Sequence, residues 1–242
     1  QNSLIFKKYF ARVLHFSLFH SNPSTATIIL PLYNVLISAI KEGKITDVYD
    51  SSYFTTKKTL KDIESSLFKI DTSDVGREQM NEDIDAYRRG TKKISEEYIR
   101  KTEIQAYDVD AYKVAGYWYF DKRQGELKYR LLGICPVVPD VYTMGDESAQ
   151  KEYIELFWVY FPSSRDILHA AKAFNNRNSA MAFTFDHLLN ARRFNGVIYQ
   201  EENVYGDRLI KDYMKENAQM QLLESERVKE KIRDFEQDMW NY

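Results

Sequence analysis

Residues 107–139, YDVDAYKVAGYWYFDKRQGELKYRLLGICPVVP, decide the reading of this chain. Gly116-Tyr117-Trp118-Tyr119-Phe120 is an aromatic run suited to a pleated, half-buried surface. Residues 121–126 (DKRQGE) are polar and carry a glycine, as a short hairpin loop requires. Leu127, Tyr129 and Leu131 then alternate with Lys128 and Arg130, a period of two. The second strand turns apolar through Leu132-Gly133-Ile134-Cys135, and Pro136 and Pro139 mark its exit or an edge, because proline donates nothing to a ladder. On the first strand Tyr117 and Tyr119 take one side and Trp118 and Phe120 the other, so each face needs cover.

Downstream, residues 153–161 (YIELFWVYF) predict a third strand ended by Pro162. Ser163, with Asp166 three residues on, reads as the N-cap of a short helix over 167–174. Residues 184–189 open another helix with Gly196 just past its end, and 197–199 predict a short edge strand. Residues 203–214 read as turn then helix. From Ala218 an amphipathic helix runs on, with Val228, Ile232, Phe235 and Met239 at alternating steps of four and three, a narrow stripe suited to a groove or another helix.

Upstream, residues 3–18 are apolar and aromatic with scattered bases and fit neither period. Residues 32–40 are helical with Gly43 as their stop, 45–50 are a short extended piece, and 55–68 are helical again. Residues 71–105 are dominated by charge and read as a surface arm or insertion. The expected class is α+β: a small antiparallel sheet of about three to four strands flanked by helices, with a charged insertion and a long C-terminal amphipathic helix. The expected organisation is an N-terminal segment over 1–70, an insertion over 71–105, an α+β core over 106–217 and a terminal helix over 218–242, forming one domain.

The 242 residues are 44% hydrophobic and 29% charged, ordinary for a globular chain, and only 9 glycines and 5 prolines argue against a barrel or sandwich. A net charge of −2 removes the simple electrostatic case for nucleic acid. The paired bases, Arg192-Arg193 among them, read as solvated faces. Cys135 is the single cysteine, so an internal disulfide is impossible, and its apolar setting favours a buried thiol over a nucleophile. The best membrane candidate, residues 26–40, is too short and is broken by Pro31 and Asn34. The chain begins at Gln1 rather than methionine, so a processed or trimmed N-terminus is expected, with any targeting signal out of sight.

A reaction centre is not apparent. The histidines (His15, His20, His169, His187) make no metal spacing with Cys135, and no glycine-rich phosphate loop occurs. The pairs Asp108/Asp110 and Asp83/Asp85 lack the third ligand and glycine of a calcium loop. Asp186 and His187 are adjacent helix residues about 100° apart and cannot orient each other. What remains is aromatic surface: 14% of the chain, with 18 tyrosines, a composition that leans toward assembly interfaces.

Several stretches resemble the GldN/PorN family of the type IX secretion and gliding apparatus of Bacteroidetes. They are YWYFDK (117–122), LLGICPVV (131–138), FWVYFPSSR (157–165), FTFDH (183–187), NVYGDR (203–208), ESERVK (224–229) and FEQDMWNY (235–242). The resemblance is continuous from about Ile104 onward and patchy before it. It implies a periplasmic, non-enzymatic subunit beneath the outer membrane, without cofactor. As partners it implies the lipoprotein GldK/PorK, the periplasmic part of GldM/PorM, and further copies of the same chain in a ring. Candidate contact residues are Trp118, Tyr119, Trp158, Arg165, Arg208, Phe235 and Trp240, of which the two sheet tryptophans, Trp118 and Trp158, also suit a core. The rival readings are an envelope hydrolase with a dispersed site around His169 and His187, and a monomeric peptide- or ligand-binding module.

Overall fold

A computed structural model describes residues 3–14, 31–82, 89, 96–144, 152–173, 183–215 and 217–240. In chain order its elements are β1 (Ser3–Leu14), α1 (Leu32–Lys41), β2 (Val48–Tyr49), α2 (Leu60–Leu67), β3 (Phe68–Thr72), α3 (Asp74–Glu82), β4 (Ile99–Glu103), β5 (Ala111–Asp121) and β6 (Glu126–Pro139). They continue with β7 (Tyr153–Glu155), β8 (Trp158–Tyr160), α4 (Phe161–Ala170), β9 (Lys172–Ala173), β10 (Phe183–Thr184), α5 (Phe185–Asn190), β11 (Gly196–Glu201), α6 (Ile210–Tyr213) and α7 (Ala218–Trp240).

The class is α+β, and the expected hairpin is its centre. β5 and β6 pair antiparallel from Ala111↔Val137 to Asp121↔Glu126, closed by the predicted polar loop. The sheet is wider than the three to four strands expected. Seven described strands join in the order β11-β1-β5-β6-β8-β2, with β7 also paired to β6, all antiparallel. The largest omission is β1, which pairs with β5 and β11 on its two edges. A register shift between Ile5 and Lys7 leaves Phe6 as an extra residue in β1 and breaks its alternation, so no single period runs through it; the shift at Phe10/Ala11 puts its extra residue, Tyr199, in β11.

Several local readings change, among them the expected N-cap Ser163, which lies inside α4 with Tyr160 as its cap residue. The single strand expected over 153–161 is two short strands, β7 and β8, both on β6. Pro136 lies inside β6 rather than at its exit: its carbonyl accepts from the Leu156 N–H at 3.1 Å, so its missing N–H faces the break between β7 and β8. Pro162 does not end a strand but sits in the first turn of α4, where its lost N–H has no intrahelical partner anyway.

The even-numbered face of β5 carries the core. Tyr112 and Val114, with Leu131, Ile134 and Val138 of β6 and Val159 of β8, are buried against Leu32, Leu36 and Ile40 of α1, Leu168 of α4 and Leu188 and Leu189 of α5. Farther along the same face Phe120, Leu127 and Ile198 meet Val228 and Ile232 of α7, with Phe235 and Met239 packed beside them. Each fully buried side chain of this size contributes about 1.5–3 kcal/mol. The stripe read in the terminal helix is thus satisfied by its own chain. Ser225 and Glu224 of α7 are buried too, and Glu224 is held by Arg227 at 2.7 and 2.5 Å.

Within the charged arm β3 and β4 form a two-stranded ribbon. Its base enters the core, where the Ile104 N–H donates to the Leu67 carbonyl at 2.9 Å and both residues are buried.

Candidate interaction surfaces

The odd-numbered face of β5 is organised differently. Around Ala115 and Cys135 the fully buried Trp158 donates its indole N–H to Glu155 at 2.7 Å, and Lys113 meets the same carboxylate at 2.5 Å. Burial pushes the Cys135 thiol well above the usual range, so it is an inert hydrophobe at neutral pH. Above them lies the loop between β2 and α2. Phe54, at φ 56°, sets its ring edge-on to Tyr49, Trp158 and Tyr160. That position exists because residue 133 is glycine: a Cβ there would overlap the Phe54 ring.

Beyond this lid the described residues place no further layer over Tyr117, Tyr119, Lys128 and Arg130. The two tyrosine rings lie 5.9 Å apart, and Arg130, exposed, donates to the Tyr117 hydroxyl at 3.5 Å. Lys128 bonds Asp121 at 3.2 Å and also Gln124. The result is an aromatic platform edged with cations, of the composition that protein interfaces favour.

A second feature opens on the core face, between α7 and the end of α5. It is a groove of about 610 Å³, floored by Trp118, Tyr129 and Ile198. Arg192 overhangs it, its guanidinium 4.4 Å from the Trp118 ring and 5.7 Å from the Tyr129 ring. The arginine gets there through the helix ending. Arg192 N–H bonds the Leu189 carbonyl at 3.2 Å and Arg193 N–H the Leu188 carbonyl at 3.1 Å, the paired bonds of a Schellman cap. Residue 192 therefore adopts φ 51°, where glycine is usual and a Cβ costs about 1–2 kcal/mol. Gly196, expected just past this helix, instead begins β11.

A family model described as gliding motility associated protein GldN matches residues 16–241, nearly the whole chain. The chain belongs to the GldN family. As a GldN-family protein it is gliding motility associated, a role consistent with the type IX secretion apparatus. No curated protein matches it. No helix among the described residues is long and apolar enough to cross a membrane.

The residues singled out from the sequence of this GldN-family chain fall in separate places. Tyr119 lies on the open platform and Trp118 in the groove. Trp158 is fully enclosed and has no surface to offer a partner. Arg165 is engaged in a two-pronged pair with Asp186 (2.8 and 3.1 Å), which Asn190 also bonds at 2.8 Å. Arg208 is exposed, stacked against Tyr205 and Tyr213 at 4.8 and 4.9 Å. Phe235 packs on the α7 core cluster, and the side chain of Trp240 lies outside the described residues, as do His15, His20 and the Asp83/Asp85 pair.

The dispersed site of the rival hydrolase reading, around His169 and His187, is not assembled among the described residues. His169 Nδ1 stands 3.9 Å from Asp186 on the exposed side, and His187 packs on the Phe183 ring. No described hydroxyl or thiol bonds either imidazole, and no described group of three His, Cys, Asp or Glu side chains could hold a metal. Sequence reading missed Arg192, placing it in a solvated base pair. The available signal was a helix end without a glycine where one is usual.

Proposed function

We propose that this chain is a non-enzymatic structural subunit of the gliding and type IX secretion machinery, acting in the periplasm at the inner face of the outer membrane. Its partners in this reading are the GldK/PorK lipoprotein, the periplasmic part of GldM/PorM and further copies of the chain in a ring. The family match supports the machinery, and the platform of Tyr117, Tyr119 and Arg130 carries the reading of a scaffold. Large, half-buried tyrosines beside an arginine, with no described layer over them, supply the contact area and hydrogen bonds a stable protein interface requires.

The platform is tested with the double variant Tyr119→Ala, Arg130→Glu mixed with the GldK/PorK lipoprotein. Assembly at least tenfold weaker than wild type, with an unchanged melting temperature, supports contact through this face. Unchanged assembly removes the platform as the contact surface.

A further inference from the structure

The groove beneath Arg192 has features that the hydrophobic core does not need. Its floor is apolar and aromatic, yet its overhang is a cation with no described carboxylate within ion-pair distance. Glu236 on the far rim acts on it only at longer range; Arg192 as a whole is exposed, but one face of its guanidinium is covered by the Trp118 ring, and that partial burial holds it below the usual arginine range. A guanidinium partly stripped of water and stacked on an indole is ready to receive an anion in a forked pair. Glycine would satisfy the Schellman cap without strain, whereas the arginine in its place bears that strain and is delivered over Trp118.

The shape selects among anions. Along α7 the lining runs from Glu226 to Glu236, about 15 Å at ~1.5 Å per residue. That accommodates about four to five residues of extended chain at ~3.3 Å each. The rim carries both signs, with Glu226 and Glu236 beside Lys229 and Arg233, and Lys229 already pairs Glu226 at 2.7 Å. Arg233 pairs Glu230 at 3.7 Å, so among the described lining residues Arg192 is the cation left available, and a narrow, mixed-charge trough with an apolar floor suits a peptide better than a small anion.

We propose that this groove binds an extended segment of a partner protein in which an acidic side chain stands next to an aromatic or aliphatic one. The carboxylate pairs with Arg192, and the apolar neighbour rests on Trp118 and Tyr129. This rests on the scaffold reading for its biological setting, though not for its chemistry.

The test is selection of a random dodecapeptide library displayed on phage against the intact chain, followed by affinity measurement of the selected peptides on two variants. Arg192→Gly removes the guanidinium and relieves the positive φ, so its melting temperature should not fall. Glu236→Gln removes the carboxylate competing across the groove. The inference expects selected peptides sharing an acid beside an aromatic or aliphatic residue, at least tenfold weaker binding to Arg192→Gly and severalfold tighter binding to Glu236→Gln. Failure to select any peptide, acids without apolar neighbours, or equal binding to wild type and both variants would overturn it. A chain that selects such peptides but does not assemble with the lipoprotein keeps the groove and loses the scaffold.

Discussion

Ser225 of α7 accepts the backbone N–H of Ile198 in the edge strand β11 at 2.8 Å. Both residues are buried, so a helix side chain completes the hydrogen bonding of a strand to which the described residues add no neighbouring strand on that side at this point. The terminal helix is therefore part of the folded body, not an appendage awaiting a partner. Ser225→Ala leaves the Ile198 N–H buried and unpaired and is expected to lower stability by about 1–3 kcal/mol. Urea unfolding with unchanged m-value would show it.

The same logic governs Phe235. Its ring packs on the cluster of Val228 and Ile232, so Phe235→Ala is expected to lower the urea midpoint with a cost of about 1–3 kcal/mol, below the full core range because the site is only partly buried. A wild-type midpoint would show that the ring is spare for binding.

Gly116 faces Tyr129 across the hairpin, and a Cβ at residue 116 would overlap the Tyr129 ring and hydroxyl. Gly116→Ala is expected to cost about 1–3 kcal/mol through overpacking, partly restored by Tyr129→Leu in the same chain. A double-mutant cycle without coupling would contradict this.

Asp186 provides the pH dependence. Hydrogen bonds from Arg165 hold its carboxyl below the usual carboxylate range, opposed by burial and assisted by Asn190. A depressed folded value means the stabilisation is full above the unfolded value, about 3.9, and is lost as pH falls through the folded value. Glu224, held by Arg227, acts in the same sense. Stability is expected to fall steeply below about pH 4, with a shallower slope in Asp186→Asn. At neutral pH Arg165→Ala is expected to cost about 1–2 kcal/mol, moderated because Arg165 is half-exposed while Asp186 is nearly buried. Urea midpoints across the acid range would check both.

The hairpin was legible because its alternation, loop and apolar end all mark two paired strands, although the register shift opposite Ala115 and Gly116 left no sign in the sequence. The helices α1 and α7 were legible from period and punctuation, Gly43 at φ 71° being one such stop, whereas the stop read for α5 at Gly196 belongs to β11. β1 was not, because the extra residue Phe6 switches its period of two partway along the strand. The partition of aromatics was half legible. Parity separated Tyr119 from Trp118, but what covers each face depends on the Phe54 loop and α7, which pack from far away in the sequence. The groove was illegible for the same reason. Arg192 gains its meaning from Trp118, which is distant in sequence, and the local cap alone does not say what the side chain meets.

The central claim, that this chain works by assembly, is tested most directly by its native mass, alone and mixed with the GldK/PorK lipoprotein. The account predicts a stoichiometric complex or a ladder of higher oligomers that requires both proteins. A strict monomer that ignores the lipoprotein at micromolar concentration would contradict it.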